Sequence, residues 1–76
     1  AEDTRAAIFE EAVPLLAQAV KEMPTDPDLA YHYAYALSRA GQPAQAKQVL
    51  TRLLATSKPF QSRAEAQRLL AALEQT

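Results

Sequence analysis

The stretch DPDLAYHYAYALSRAG covers residues 26–41 and has a tyrosine at every second position: Tyr31, Tyr33 and Tyr35. Alternation of this kind is typical of a β-strand with one aromatic face. The ends of the stretch favour a helix instead. Asp26 can accept a hydrogen bond from a free backbone amide, and Pro27 suits the first helical position. Because Gly41 can end a helix in the left-handed conformation, we predict a helix of about 14 residues here.

A helix changes what the tyrosine spacing means. Tyr31 and Tyr35 then lie one turn apart on one face, whereas Tyr33 points roughly the opposite way. Arg39 continues the first face by a further turn. Asp28 adds negative charge near the positive end of the helix dipole.

Three further stretches carry alanine and leucine at helical spacing. QPAQAKQVLTRLLAT, residues 42–56, has an apolar stripe of Ala46, Val49, Leu50, Leu53 and Leu54. SRAEAQRLLAALEQ, residues 62–75, has a similar stripe of Ala66, Leu69, Leu70 and Leu73. Ser62 and Glu65 have the spacing of a capping box at its start. In residues 4–23, Pro14 either kinks one long helix or lies in the first turn of a helix that begins near Phe9. We favour a helix over about residues 10–23, which the preceding residues could extend, and the chain is then all-α with about four helices.

Composition excludes several classes of function. The chain has 76 residues, no Cys, one His and a formal charge of −1, which predicts no disulfide, no metal site, no cofactor and no nucleic-acid partner. A single Gly leaves no glycine-rich phosphate loop, and no base is placed near a serine, so we predict no enzyme. No apolar run reaches the roughly 20 residues that span a bilayer, so we predict no membrane insertion. Because the chain begins at Ala1 we expect a segment of a longer protein, and the compartment stays open between the cytoplasm and the periplasm or cell envelope.

An internal repeat connects these helices. Three pairs of apolar residues stand 34 positions apart: Ala12 and Ala46, Leu16 and Leu50, Ala19 and Leu53. A period of 34 residues built from helix pairs is typical of tetratricopeptide repeats. Together with the stretch at 26–41, this pattern resembles that family closely.

The resemblance implies one domain over residues 1–76, a fragment of a helix-turn-helix solenoid with antiparallel helices. About residues 9–24 would be the second helix of a partial repeat, about 27–58 a full repeat, and about 61–75 a capping helix. The sequence departs from the family pattern at two positions. Ala30 is small where the family has a bulky residue, and Leu53 is large where it has a small one.

The resemblance also implies a site. First helices of these repeats line the concave surface, where Tyr31, Tyr35, Arg39, Asp28 and His32 would bind a peptide or partner helix. An equally weighted alternative is that Tyr31 and Tyr35 only pack against neighbouring helices, and Tyr33 is expected in the core. The chain has no Asn, and the two tyrosines stand where family members that bind chaperone tails need Lys and Asn. We therefore predict no binding of that type.

A second hypothesis treats the chain as the structural end of a longer array that binds its partners elsewhere. The first helix would then lack a partner helix, and its apolar face needs cover: Leu15, Leu16, Ala19 and Val20. We expect it to find that cover by self-association, as a homodimer or a swapped assembly. The closing stretch, LLATSKPFQSRAEAQRLLAAL, is also similar to the C-terminal ends of long bacterial repeat proteins of exopolysaccharide and cell-envelope systems.

Overall fold

Four helices make up the described part of the chain, which is residues 2–56 and 58–75 of a computed structural model, with side chains described from Ala6 onward. They are α1, Glu2–Glu22; α2, Pro27–Arg39; α3, Pro43–Leu54; and α4, Arg63–Glu74. Each helix packs against the next one along the chain, and α2 also touches α4. The predicted all-α fold is confirmed.

The two ends of α2 are built as the sequence predicts. The Asp26 carboxylate accepts a hydrogen bond from the Leu29 amide at 3.1 Å, and Pro27 takes the first helical position. At the other end Gly41 has a φ of 81°, a conformation that costs glycine little and other residues more. The chain turns there, and the Gln42 amide bonds back to the Leu37 carbonyl at 2.9 Å. The alternating tyrosines therefore lie on a helix.

The buried core lies between α2, α3 and α4. Seven residues form it: Ala34, Leu37, Ala46, Leu50, Leu53, Ala66 and Leu73. The alanines have no exposed surface, and such small side chains allow helix backbones to approach closely. Helix α1 reaches this core only at its edge, through the half-buried Val13.

Helix α1 begins at Glu2 and runs through Pro14, so the favoured start near residue 10 is wrong and the extension by the preceding residues is confirmed. Proline removes one backbone hydrogen bond, here the one to the Glu10 carbonyl. Both Pro14 and Glu10 are exposed, so water can satisfy that carbonyl. Half-buried Phe9 and Ala6 also lie before the proline, and packing on this side supports the extra turns.

The predicted capping box at Ser62 and Glu65 does not form. Ser62 is the N-cap of α4, but its side chain makes no capping hydrogen bond. Its amide instead donates to the Asp28 carboxylate at 2.8 Å, the role that Glu65 would have in a capping box. Glu65 lies 3.7 Å from Arg68 in an exposed ion pair. A carboxylate from α2 thus holds the start of α4.

The exposed apolar face of α1 is also different from the predicted one. Leu16 and Val20 are half-buried, because they lie on the side that faces α2. The large apolar side chains left exposed are Ile8 and Leu15 on α1 and Met23 just after it. Of the four residues predicted to need cover, Leu15 is exposed and the other three are half-buried.

Candidate functional site

Aromatic rings from two helices meet on one side of α2. Tyr35 contacts Phe9 of α1 edge to face, with ring centroids 5.7 Å apart and an interplanar angle of 79°. Tyr31 lies one turn before Tyr35, with ring centroids 6.4 Å apart. We call the surface formed by Phe9, Tyr31, Tyr35 and Arg39 the aromatic face. Edge-to-face contacts at these distances are favourable for aromatic rings, so Phe9 fixes the position of Tyr35.

Arg39 extends the aromatic face by one turn. Its Nε donates a hydrogen bond to the Tyr35 hydroxyl at 3.2 Å, and its Cζ lies 5.2 Å from the centre of the same ring. The Ser38 hydroxyl donates to the Tyr35 carbonyl at 2.7 Å. Arg39 is exposed, and the bond to Tyr35 uses one of its five N–H donors. The guanidinium is therefore held in place with donors left for a partner.

Helix α4 contributes charge beside Tyr31. Burial raises the pKa of the Tyr31 hydroxyl, the negative charges of Glu65 and Tyr35 raise it further, and Arg68 lowers it. Sequence reasoning missed Glu65 and Arg68 as neighbours of this site. The 34-residue period gives no signal for them, because the N-caps of α2 and α4, Asp26 and Ser62, stand 36 residues apart.

The remaining predicted site residues have different surroundings. His32 is exposed, with its ring centroid 5.6 Å from that of Tyr31. Asp28 is half-buried, and one of its carboxylate oxygens is bonded to the Ser62 amide. The structure thus brings Tyr31, Tyr35, Arg39 and His32 to one surface, whereas Asp28 has an internal partner.

The two tyrosines of the aromatic face are half-buried, which leaves part of each ring open to solvent. Tyr35 packs against Phe9, and Tyr31 packs against the edge of the core. Tyr33 also packs against the core, from the other side of α2. Packing and partner contact are therefore compatible for Tyr31 and Tyr35, and the geometry favours neither alternative over the other.

Helices that contact mainly their neighbours in sequence, with equivalent residues a fixed period apart, define a helical repeat protein, or α-solenoid. The family can be named as well. The sequence model of the family described as Tetratricopeptide repeat matches residues 9–73, so the chain belongs to the tetratricopeptide repeat family. Searches of curated proteins and of solved structures gave no match.

Family membership identifies a class of function. Tetratricopeptide repeats point to a protein–protein interaction module, and the family is typically non-catalytic. The match concerns the repeat alone and gives no support to the similarity with bacterial cell-envelope proteins. Among the described helices, none has both the length and the hydropathy needed to cross a bilayer.

Proposed function

We propose that the chain binds a peptide or a partner helix on its aromatic face, which the family pattern makes the concave surface. The observation that carries the proposal is the fixed pair of Tyr35 and Arg39, in which an exposed guanidinium is held against a half-buried phenol. Tyrosine and arginine are enriched among residues that dominate binding energies. A positioned arginine also loses less side-chain entropy when a partner arrives.

Each member of the site has a distinct role in this proposal. The exposed parts of the Tyr31 and Tyr35 rings contact an apolar side chain of the partner. Arg39 donates hydrogen bonds to a partner carboxylate or backbone carbonyl. His32 and Asp28 lie toward the start of α2 and contact the other end of the bound segment, Asp28 through the oxygen not bonded to Ser62.

The proposal is tested by affinity capture from a lysate of the source cells, with the chain and its variants as bait. Proteins captured by the native chain should be lost with Tyr31→Ala/Tyr35→Ala and reduced with Arg39→Ala. Lys21→Ala is a matched control, because Arg39 and Lys21 are both exposed cations in the last turn of a helix and Lys21 belongs to neither proposed site. Circular dichroism confirms that each bait is folded.

An identified partner then allows a titration. Loss of an exposed arginine that bonds a partner carboxylate should weaken binding by roughly tenfold. Equal capture by the native chain and the tyrosine variant would contradict the proposal, and Tyr31 and Tyr35 would then be packing residues only.

A second candidate function is that of a structural repeat segment that associates with a second copy of itself. It is favoured by the exposure of Ile8 at 58%, Leu15 at 73% and Met23 at 54%. Ile8 and Leu15 stand seven residues apart, so they form one stripe along α1. If this stripe packs against the same stripe of a second chain, the side chains of Ile8 and Leu15 are removed from water.

Sedimentation over a range of protein concentrations tests this candidate. Association should be visible in the native chain and lost with Leu15→Lys. Lys21→Ala serves as a control, because it changes an exposed residue of the same helix without adding a charge to the stripe. A native chain that sediments as a monomer at every concentration would exclude the homodimer.

A further inference from the structure

A groove of about 770 Å³ lies on the other side of α2 from the aromatic face. The C-terminal part of α1, the N-terminal part of α2 and the C-terminal part of α3 form its walls, and we call it the α1–α3 groove. Its apolar lining includes Val20, Ala30, Tyr33, Val49 and Leu53. Leu53 is buried and the other four are half-buried, so these side chains form the floor.

The groove is open for two reasons. Within the described part of the chain α1 and α3 make no helix–helix contact with each other, so α2 alone separates them. Ala30 lies in the lining, where its side chain stops at Cβ. The family pattern has a bulky residue at this position, and such a residue would fill part of the space that Ala30 leaves empty.

The rim of the groove is positively charged. Arg52 and Lys58 belong to the lining, both are exposed, and neither makes an ion pair with any described residue. The one acidic lining residue, Asp26, already accepts a hydrogen bond from the Leu29 amide. The lining thus carries two cations and one carboxylate that is already hydrogen-bonded, although the chain as a whole has a formal charge of −1.

The segment that carries Lys58 is held in place by an arginine of α4. Arg63 donates to the Thr56 carbonyl at 2.9 Å and to the Lys58 carbonyl at 3.4 Å. Its guanidinium also lies 5.7 Å from the centre of the Phe60 ring. The backbone carbonyl of the second rim cation, Lys58, therefore accepts a hydrogen bond from α4.

We propose that the α1–α3 groove is a second binding site, for an acidic amphipathic peptide segment of a protein partner. A large apolar side chain of the peptide packs on the floor above Ala30, beside Tyr33. Carboxylates next to it pair with Arg52 and Lys58. An apolar floor with a few charged groups at its edge is the usual composition of a peptide groove. Because this site and the aromatic face lie on opposite sides of α2, the two proposals do not depend on each other.

Fluorescence anisotropy with three synthetic peptides tests this inference. The probe is fluorescein-labelled Glu-Glu-Leu-Phe-Glu-Glu, and the controls replace either the glutamates by lysines or the Leu-Phe pair by serines. The native chain should bind the acidic amphipathic peptide and neither control. Binding of the lysine peptide at equal strength, or no binding of the glutamate peptide, would overturn the proposal.

Variants of the chain locate the bound peptide. Arg52→Glu/Lys58→Glu should weaken binding by roughly tenfold or more, because two attractive rim charges become repulsive. Arg39→Glu reverses an exposed charge on the aromatic face and should leave the affinity within about twofold of the native value, since charges on opposite faces are largely screened from each other. A larger loss with Arg39→Glu than with the double variant would place the peptide on the aromatic face and overturn the inference.

Filling the groove provides a second line of evidence. Ala30→Trp places an indole in the space above the floor and should abolish peptide binding while the aromatic face stays unchanged. The rim double variant changes two exposed side chains only, so it decides the question even if the tryptophan variant folds poorly. Undiminished binding by a folded Ala30→Trp variant would also overturn the proposal.

Discussion

Helices α1 and α3 have equivalent positions in the repeat but different surroundings. The three residue pairs 34 positions apart show the difference directly: Ala12 and Ala46, Leu16 and Leu50, Ala19 and Leu53. The members in α3 are buried, with exposures of 0%, 0% and 9%. The members in α1 are all half-buried.

Neighbours cause this difference, since the residue types are nearly the same. Helix α3 lies between α2 and α4, whereas α1 contacts α2 alone among the described helices. In a solenoid each repeat is stabilised by its intrinsic stability and by its interfaces with adjacent repeats. A residue pattern therefore identifies the side that a helix can bury, and the number of neighbours decides how much of it is buried.

The largest expected effect compares Leu50→Ala with Leu16→Ala. Leu50 is fully buried, so its truncation should lower the free energy of unfolding by about 2–5 kcal/mol. Leu16 is half-buried, so Leu16→Ala should lower the free energy of unfolding about half as much, because less apolar surface is removed from the folded protein's interior. Urea unfolding followed by circular dichroism measures both values, at a concentration where the native chain is monomeric. Equal losses would contradict the comparison, since α1 would then be covered in solution as fully as α3.

A smaller effect is expected at Asp28. Its carboxylate accepts a hydrogen bond at the start of α4, the helix that covers α3 but not α1. Asp28→Ala removes the acceptor of the Ser62 amide and should cost about 1–3 kcal/mol. Asp28→Asn keeps an oxygen that can accept the bond and should cost less. Both variants lose the favourable charge at the start of α2. The difference between their free energies of unfolding therefore measures the hydrogen bond to α4. Identical unfolding curves for the two variants would show that the bond contributes nothing.

The smallest effect concerns Tyr31, whose pKa is raised by burial, by Glu65 and by Tyr35. A folded-state pKa above the usual value near 10 means that folding favours the neutral phenol. The stabilising contribution is complete below pH 10 and is lost as the pH rises through the folded-state pKa. Native protein should therefore lose stability more steeply in alkali than Tyr31→Phe, and unfolding curves at several alkaline pH values compare the two. Parallel losses would show that folding does not raise the pKa of Tyr31.

Local patterns predicted α2 well. Asp26, Pro27 and Gly41 act on backbone groups within a few residues of themselves, so the start and end of the helix follow from nearby sequence. The spacing of Tyr31 and Tyr35 likewise placed the rings on one face, as the structure shows. The 34-residue period then indicated that α1 and α3 have equivalent positions in the repeat.

Other features depend on residues distant in sequence. The start of α1 stayed open at the sequence level because the effect of Pro14 depends on whether the freed carbonyl faces water, which the sequence does not state. The acceptor for the Ser62 amide was predicted to be Glu65, and the actual acceptor, Asp28, was missed because it lies 34 residues earlier. For the candidate site, the charge of Glu65 near Tyr31 and the contact of Phe9 with Tyr35 both depend on how two helices pack, which the sequence does not state.

The bond between Asp28 and Ser62 runs from the first turn of α2 to the residue that precedes α4. Its donor is a backbone amide, so the link makes no demand on the side chain of the second residue except that it is not proline. Its acceptor is a side chain, so the link does depend on the residue type at position 28. The contact therefore tolerates substitution unequally at its two ends: most changes at residue 62 leave it in place, whereas loss of the acceptor at residue 28 removes it.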